Sequence, residues 1–176
     1  LALVSMGSVA RMTRSSLLKA KGDLKGAIAE VDKAIAKSGS VPEFWFARSD
    51  YRKEAGDAAG ALADLTAGLK FRPDDLRARR DRATLAAEAG DLQTAKGDLD
   101  FVIERTPQDA EMRNLRGRVL ATLDDANAAL ADLNVAVTEE PSAPTHRYYR
   151  GVVRVQAGNM AGASDDFEAF LKLIPS

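Results

Sequence analysis

Ala27, Val31, Ala34 and Ile35 follow an i, i+4, i+7, i+8 spacing, which draws one apolar stripe along a helix. The stripe returns every 34 residues. One column is alanine throughout, at Ala27, Ala61, Ala95, Ala129 and Ala163. A second is large and apolar, at Val31, Leu65, Leu99, Leu133 and Phe167. A third is aliphatic, at Ile35, Leu69, Ile103, Val137 and Leu171. Upstream of each stripe stands a small residue, Ser15, Ser49, Ala83, Gly117 or Gly151. Helix breakers keep the same interval: Gly22-Asp23, Gly56-Asp57, Gly90-Asp91, Asp124-Asp125 and Gly158-Asn159. Pro73, Pro107, Pro141 and Pro175 follow the last four pairs by 17 residues, and Gly39 fills that slot in the first. Each unit of the pattern therefore predicts two helices. The pair ends the first, because Gly enters the left-handed region cheaply, and its Asp or Asn caps the second. The proline closes the second helix. The expected repeats are 8–41, 42–75, 76–109, 110–143 and 144–176, giving about ten antiparallel helices in a single all-α domain over 1–176. A lone hairpin cannot bury its stripe, so neighbouring hairpins must stack.

These columns resemble the tetratricopeptide repeat, a helical family with this period. Trp45 occupies its tryptophan slot in repeat two. Its tyrosine slot holds Leu18, Arg52, Ala86, Leu120 and Arg154, so that part of the pattern is degenerate. Its second alanine slot is kept as Ala34 and Ala136 and becomes Gly68, Val102 and Phe170 elsewhere. The resemblance implies a right-handed α-solenoid of helix-turn-helix repeats that serves as a protein-interaction scaffold, with peptide held in a concave groove lined by the first helices. Pentatricopeptide RNA binders are a near neighbour in architecture. Their period is usually one residue longer, and they read bases through fixed polar pairs. No repeated polar pair of that kind is visible, so no nucleic-acid partner is expected.

Composition narrows this only slightly. The 176 residues are 45% apolar and 29% charged, which indicates a folded chain. A net charge of -1 gives no global attraction to polyanions. No apolar run reaches the roughly 18 residues needed to cross a bilayer, so no membrane insertion is expected. Cysteine is absent, which excludes disulfides and thiolate metal sites. The opening residues 1–10 lack an initiator Met. They read either as part of the first helix or as the tail of a secretory signal with Ser8 and Ala10 near its cleavage site. The compartment is accordingly open between cytoplasmic and periplasmic or secreted. His146 is the sole histidine, and no phosphate-loop, dinucleotide or nucleophile-elbow motif occurs. No enzyme activity, metal or cofactor is expected.

One charged pattern does recur. Arg14, Arg48, Arg82, Arg116 and Arg150 precede the small residues, and Glu30, Asp64, Asp98, Asp132 and Asp166 lie 16 residues later. The two helices of a repeat run antiparallel about the turn, which brings these columns to one height. An arginine–carboxylate ladder is predicted, setting register more than stability because desolvation offsets most of the attraction.

Function must then sit where the repeats differ. By the family's geometry the groove residues are Phe46 and Asp50, then Arg77, Arg80 and Thr84, then Asn114 and Arg118, then Tyr148, Tyr149 and Val152. This face reads as mixed, then basic, then aromatic. The central run from Arg77 to Arg82, with Arg113 and Arg118 beyond it, reads either as a seat for an acidic segment or a C-terminal carboxylate, or as a solvated helix face partly neutralised by Asp74, Asp75 and Asp81. The family's clamp for chaperone C-termini needs Lys and Asn where Met12 and Ser16 stand, or Phe46 and Asp50 one repeat on, so that partner is not expected. The alternative is an assembly module. Phe167, Phe170, Leu171 and Ile174 end the last stripe, and exposed apolar patches mark interfaces, so homo-oligomer formation through the terminal repeats is the second reading.

Overall fold

The protein is described from a computed structural model, over residues 6–175. Among these, ten α-helices and no strand occur. They are α1 (Met6–Ala20), α2 (Leu24–Lys37), α3 (Pro42–Glu54), α4 (Ala58–Leu69) and α5 (Leu76–Glu88). They continue as α6 (Leu92–Arg105), α7 (Ala110–Thr122), α8 (Ala126–Glu139), α9 (Pro144–Gln156) and α10 (Met160–Leu173). The fold is all-α, in five helix-turn-helix repeats of the solenoid class. Of the residues read as a possible leader remnant, 6–10 open α1 and 1–5 lie outside the described residues.

The turns form as the breakers dictate. Gly22, Gly56, Gly90 and Gly158 take φ between 77° and 81°. Asp124 takes φ 61° in the equivalent place, the one described residue other than Gly to do so. Asp23, Asp57, Asp91, Asp125 and Asn159 each accept a hydrogen bond from the backbone N–H three residues on. These side chains satisfy donors that the helix start would otherwise leave unpaired.

The chain divides into two compact units, Leu1–Leu85 and Ala86–Ser176, with the boundary inside α5. In the first unit, Ala27, Val31, Ala34, Val41, Phe44 and Tyr51 form one apolar core. Leu65, Leu69 and Ala78 form another, against which Phe46 and Leu85 pack. In the second unit Leu120, Ala129, Leu133 and Val153 cluster together. Leu65, Leu99 and Leu133 are at most 1% exposed, and burial of each contributes about 1.5–3 kcal/mol. The small column exists because helices touch there. A Cβ added at Gly117 would lie 2.7 Å from Leu133 Cγ and 3.1 Å from the Ala129 carbonyl oxygen.

The arginine ladder is present wherever both of its residues fall in one unit. Arg48 donates through Nε and Nη2 to Asp64, at 2.9 and 2.5 Å. Arg116 holds Asp132 in the same fork at 2.6 and 2.8 Å, and Arg150 holds Asp166 at 2.9 and 2.6 Å. In the first repeat Arg14 reaches Glu30 at 3.6 Å, where Arg11 and Lys33 also bind. Hydrogen bonding to Asp64 and to Asp132 holds Arg48 and Arg116 above the ordinary guanidinium range. These aspartates are only about 2% exposed as side chains, so each buried charge has its counter-ion.

The ladder has a second rail that the sequence columns did not flag. From the second repeat on, the Nη1 of each ladder arginine reaches back 16 residues to the preceding repeat. Arg48 donates to Asp32 (2.6 Å), Arg82 to Thr66 (3.5 Å), Arg116 to Asp100 (2.8 Å) and Arg150 to Asn134 (3.1 Å). One guanidinium, as at Arg48, thus ties both the helices of its own repeat and the junction to the repeat before.

Candidate functional site

In the first unit three of the predicted groove residues, Phe46, Asp50 and Arg77, line a cleft of about 300 Å³ formed by α3, α5, Leu65 of α4 and the segment that joins α4 to α5, and Arg80 and Thr84 do not line it. Phe46 lies half-buried over Gly68, where a Cβ would come within 2.4 Å of the ring. Asp50 accepts from Lys53 at 2.9 Å and from Arg77 at 2.8 Å. Lys53 also bridges to Asp81 at 2.7 Å, and Arg72 pairs with Glu43. Attraction to Asp50 holds Arg77 above the ordinary guanidinium range. Arg79 gives its Nε–H to the Pro73 carbonyl at 2.6 Å. Arg80 and Thr84 are half-buried, and the Thr84 hydroxyl donates to the Arg80 carbonyl at 3.1 Å. The stretch that looked basic in sequence is therefore compensated in space. Glu43, Asp50, Asp75 and Asp81 share the cleft lining with Arg72 and Arg77.

The second unit carries a different arrangement. Asn114 and Arg118 stand one turn apart on α7, on one face of the helix. The Arg118 guanidinium lies 4.3 Å from the centroid of the Tyr149 ring on α9. Arg118 is exposed and forms no ion pair among the described residues. Stacking on a ring fixes its plane while leaving its N–H groups free. Asn114 is 6% exposed, and its Nδ2 has no hydrogen-bond partner. Arg118 presents exposed cationic donors to an acceptor-bearing ligand, whereas the Asn114 amide is closed to solvent.

Beside them Tyr148 packs edge-on against Tyr149, with centroids 5.2 Å apart. It also meets Phe170 at 5.5 Å and Phe167 at 6.1 Å. Val152 is half-buried on the same helix. The four residues expected at the terminal patch thus split. Phe167 and Phe170 pack against Tyr148, while Leu171 and Ile174 are 63% and 38% exposed. His146 is 5% exposed, with Nε2 3.4 Å from Glu140 and Nδ1 without a partner. No cluster of His, Asp or Glu suited to a metal ion occurs among the described residues. No described helix is long and apolar enough to cross a membrane.

The Arg118–Tyr149 contact was beyond sequence reasoning, because the two residues stand nearly a full repeat apart and neither belongs to a shared column. The second rail was discoverable, since Asp32, Thr66, Asp100 and Asn134 obey the 34-residue step.

Stacked helical hairpins with charged and aromatic side chains on the first-helix faces define a helical-repeat scaffold for protein–protein interaction. The profile of the tetratricopeptide repeat family matches residues 80–144 and 123–176, more than half of the chain, and the chain belongs to that family. Among solved structures, it is similar to MamA residues 41–end from Desulfovibrio magneticus RS-1, at 17% identity and a TM-score of 0.86. That match covers 97% of this chain and 96% of that one. It is also similar to YrrB, described as a TPR protein with an unusual peptide-binding site, at 18% identity and a TM-score of 0.88. Here 96% of this chain and 87% of that one are covered. At these identities the likeness establishes the fold. No curated protein matches the chain.

Proposed function

We propose that the protein binds a peptide or protein segment on its first-helix faces, and that the segment places a carboxylate at α7 and α9. The observation that carries this reading is the exposed Arg118 guanidinium, stacked on Tyr149 and with no ion pair of its own among the described residues. A carboxylate accepts from its N–H groups, and charge-assisted bonds of this type are the strong ones. Tyr148 and Val152 offer apolar surface to the residues flanking it. In the first unit, where charges are spent on one another, Phe46 supplies a separate apolar seat. The peptide-binding site of YrrB, a protein of the same fold, supports the general mode.

The test is fluorescence anisotropy with three labelled peptides of equal length, one acidic, one neutral and one basic. The acidic peptide should bind, and added salt should weaken it by screening. Arg118→Glu should lower its affinity by about ten- to a hundredfold, the loss of one charged hydrogen bond of about 1.5–3 kcal/mol. Equal binding of all three peptides, or full affinity in the variant, would refute the carboxylate reading. Association of copies through the terminal repeats is a second reading, favoured by the exposure of Leu171 in a column that is buried at Leu69, Ile103 and Val137.

A further inference from the structure

The cleft of the first unit joins an apolar wall to an excess of carboxylates. Phe46, Ala47, Leu65 and Ala78 supply the apolar surface. Leu65 and Ala78 are buried, and the half-buried Phe46 ring is seated where Gly68 has no side chain to hold it off. Glu43, Asp50, Asp75 and Asp81 outnumber Arg72 and Arg77 by four to two in the lining. Counting Lys53, which bridges Asp50 to Asp81, the acids keep an excess of one. A second carboxylate brought in by a ligand would therefore meet like charge, and a cation would meet opposite charge.

The chain's own Arg77 already uses this place. Its side chain is 74% exposed, yet its Nη2 donates at 2.8 Å to Asp50 of the preceding repeat. A pair so open to water contributes little, because solvent screens it and a long side chain must be held still. A guanidinium carried by another chain can replace it at Asp50. That guanidinium also gains what an exposed tether does not need. The stem of a long cation covers apolar surface while its head stays with polar groups, and a planar guanidinium suits both a carboxylate and an aromatic face. The volume of about 300 Å³ lies at the low end of ligand sites and suits one long side chain.

We propose that this cleft takes an arginine side chain of a bound protein segment, its stem against Phe46 and its guanidinium at Asp50 in place of Arg77. This rests on the reading that the first-helix faces hold such a segment. It adds a residue that the segment carries, and it makes Arg77 an internal competitor for the seat instead of a contact to the ligand.

The experiment is a ¹H–¹⁵N NMR titration of the 176-residue chain with the capped tripeptide acetyl-Ala-Arg-Ala-amide, up to about 10 mM, a range that reports millimolar affinity. The backbone amides of Ala47 and Ala78 should shift, and added salt should weaken the binding. The counterpart with citrulline, which has the shape of arginine without its charge, should bind about tenfold more weakly or worse. The counterpart with glutamate should leave these amides in place. Asp50→Asn should lower the affinity for the arginine peptide by about tenfold. Arg77→Ala should raise it by about two- to fivefold, the worth of the exposed pair that no longer competes. Both substitutions fall on side chains open to solvent, and far-UV circular dichroism checks that the helices persist. Absence of shifts, equal binding of the citrulline peptide, or the same shifts with the glutamate peptide would overturn the proposal. So would unchanged affinity in Asp50→Asn, or an Arg77→Ala affinity that stays level or falls. The probe carries no carboxylate and is read at amides of the first unit, so its failure leaves the Arg118 site standing, and failure of the acidic peptide leaves this cleft standing.

Discussion

Asp132→Ala tests how much the ladder carries. Asp132 is about 2% exposed and accepts three hydrogen bonds, two from Arg116 and one from Arg113 at 2.7 Å. Removing it leaves two guanidinium groups turned toward a site without a counter-ion. Breaking a buried pair by deleting one partner costs about 3–5 kcal/mol. Arg116 retains Asp100 at 2.8 Å and is itself 19% exposed, which moves the expectation to the low end, about 3 kcal/mol. Arg116→Met should cost less, about 1–2 kcal/mol, because Asp132 keeps Arg113. The double variant should cost less than the sum of the singles by about 1–3 kcal/mol, the coupling of residues in one network. Urea denaturation followed by circular dichroism measures all three, and about 3 kcal/mol displaces the midpoint by at least about 1 M at ordinary slopes. An Asp132→Ala cost below about 1 kcal/mol, or strictly additive singles, would show that the ladder records register without holding the hairpins together.

Two further predictions concern stability. Gly97→Ala should stabilise by about 0.5–1 kcal/mol through helix propensity, since a Cβ there meets nothing within 4 Å among the described residues. Gly117→Ala should destabilise by about 1–2 kcal/mol despite the same gain, because Leu133 and the Ala129 carbonyl leave no room; thermal melts of the two variants should shift in opposite directions. Glu30 titrates below the ordinary carboxylate range, chiefly because Lys33 donates to it, with Arg11 adding to the effect. Its contribution is complete above the unfolded value of about 4.3 and is lost as pH falls through the lower folded value. Native protein should therefore lose stability faster than Glu30→Gln between about pH 5 and 3, and parallel urea midpoints over that range would contradict it.

The repeats were legible because their rules are local. A breaker pair, a capping Asp and an apolar stripe each act within a few residues, so the 34-residue columns announced every hairpin. Even Asp124, standing where the other turns have Gly, adopts the same left-handed backbone. The arginine ladder was legible for a related reason, since donor and acceptor each keep one chemical type. The second rail keeps the same 34-residue step but was harder to see, because Asp32, Thr66, Asp100 and Asn134 share only the ability to accept a hydrogen bond. The charge of the central face was legible in part, since Asp75 and Asp81 stand beside its arginines in sequence and Asp50 does not. Arg77 reads as free until the fold brings Asp50 from the preceding repeat to within 2.8 Å. Tyr149 under Arg118 is a property of juxtaposed repeats, and nothing in either segment alone reports it.

The two-railed arginine has a consequence for how such a chain can change over generations. Every junction uses the same 16-residue reach back along the chain. A genetic duplication or deletion of 34 codons therefore delivers a segment whose arginine finds ready acceptors on either side. A change of one or two codons inside a helix would rotate that arginine away from both. Whole modules thus preserve the junction contact, whereas small insertions within a module break it.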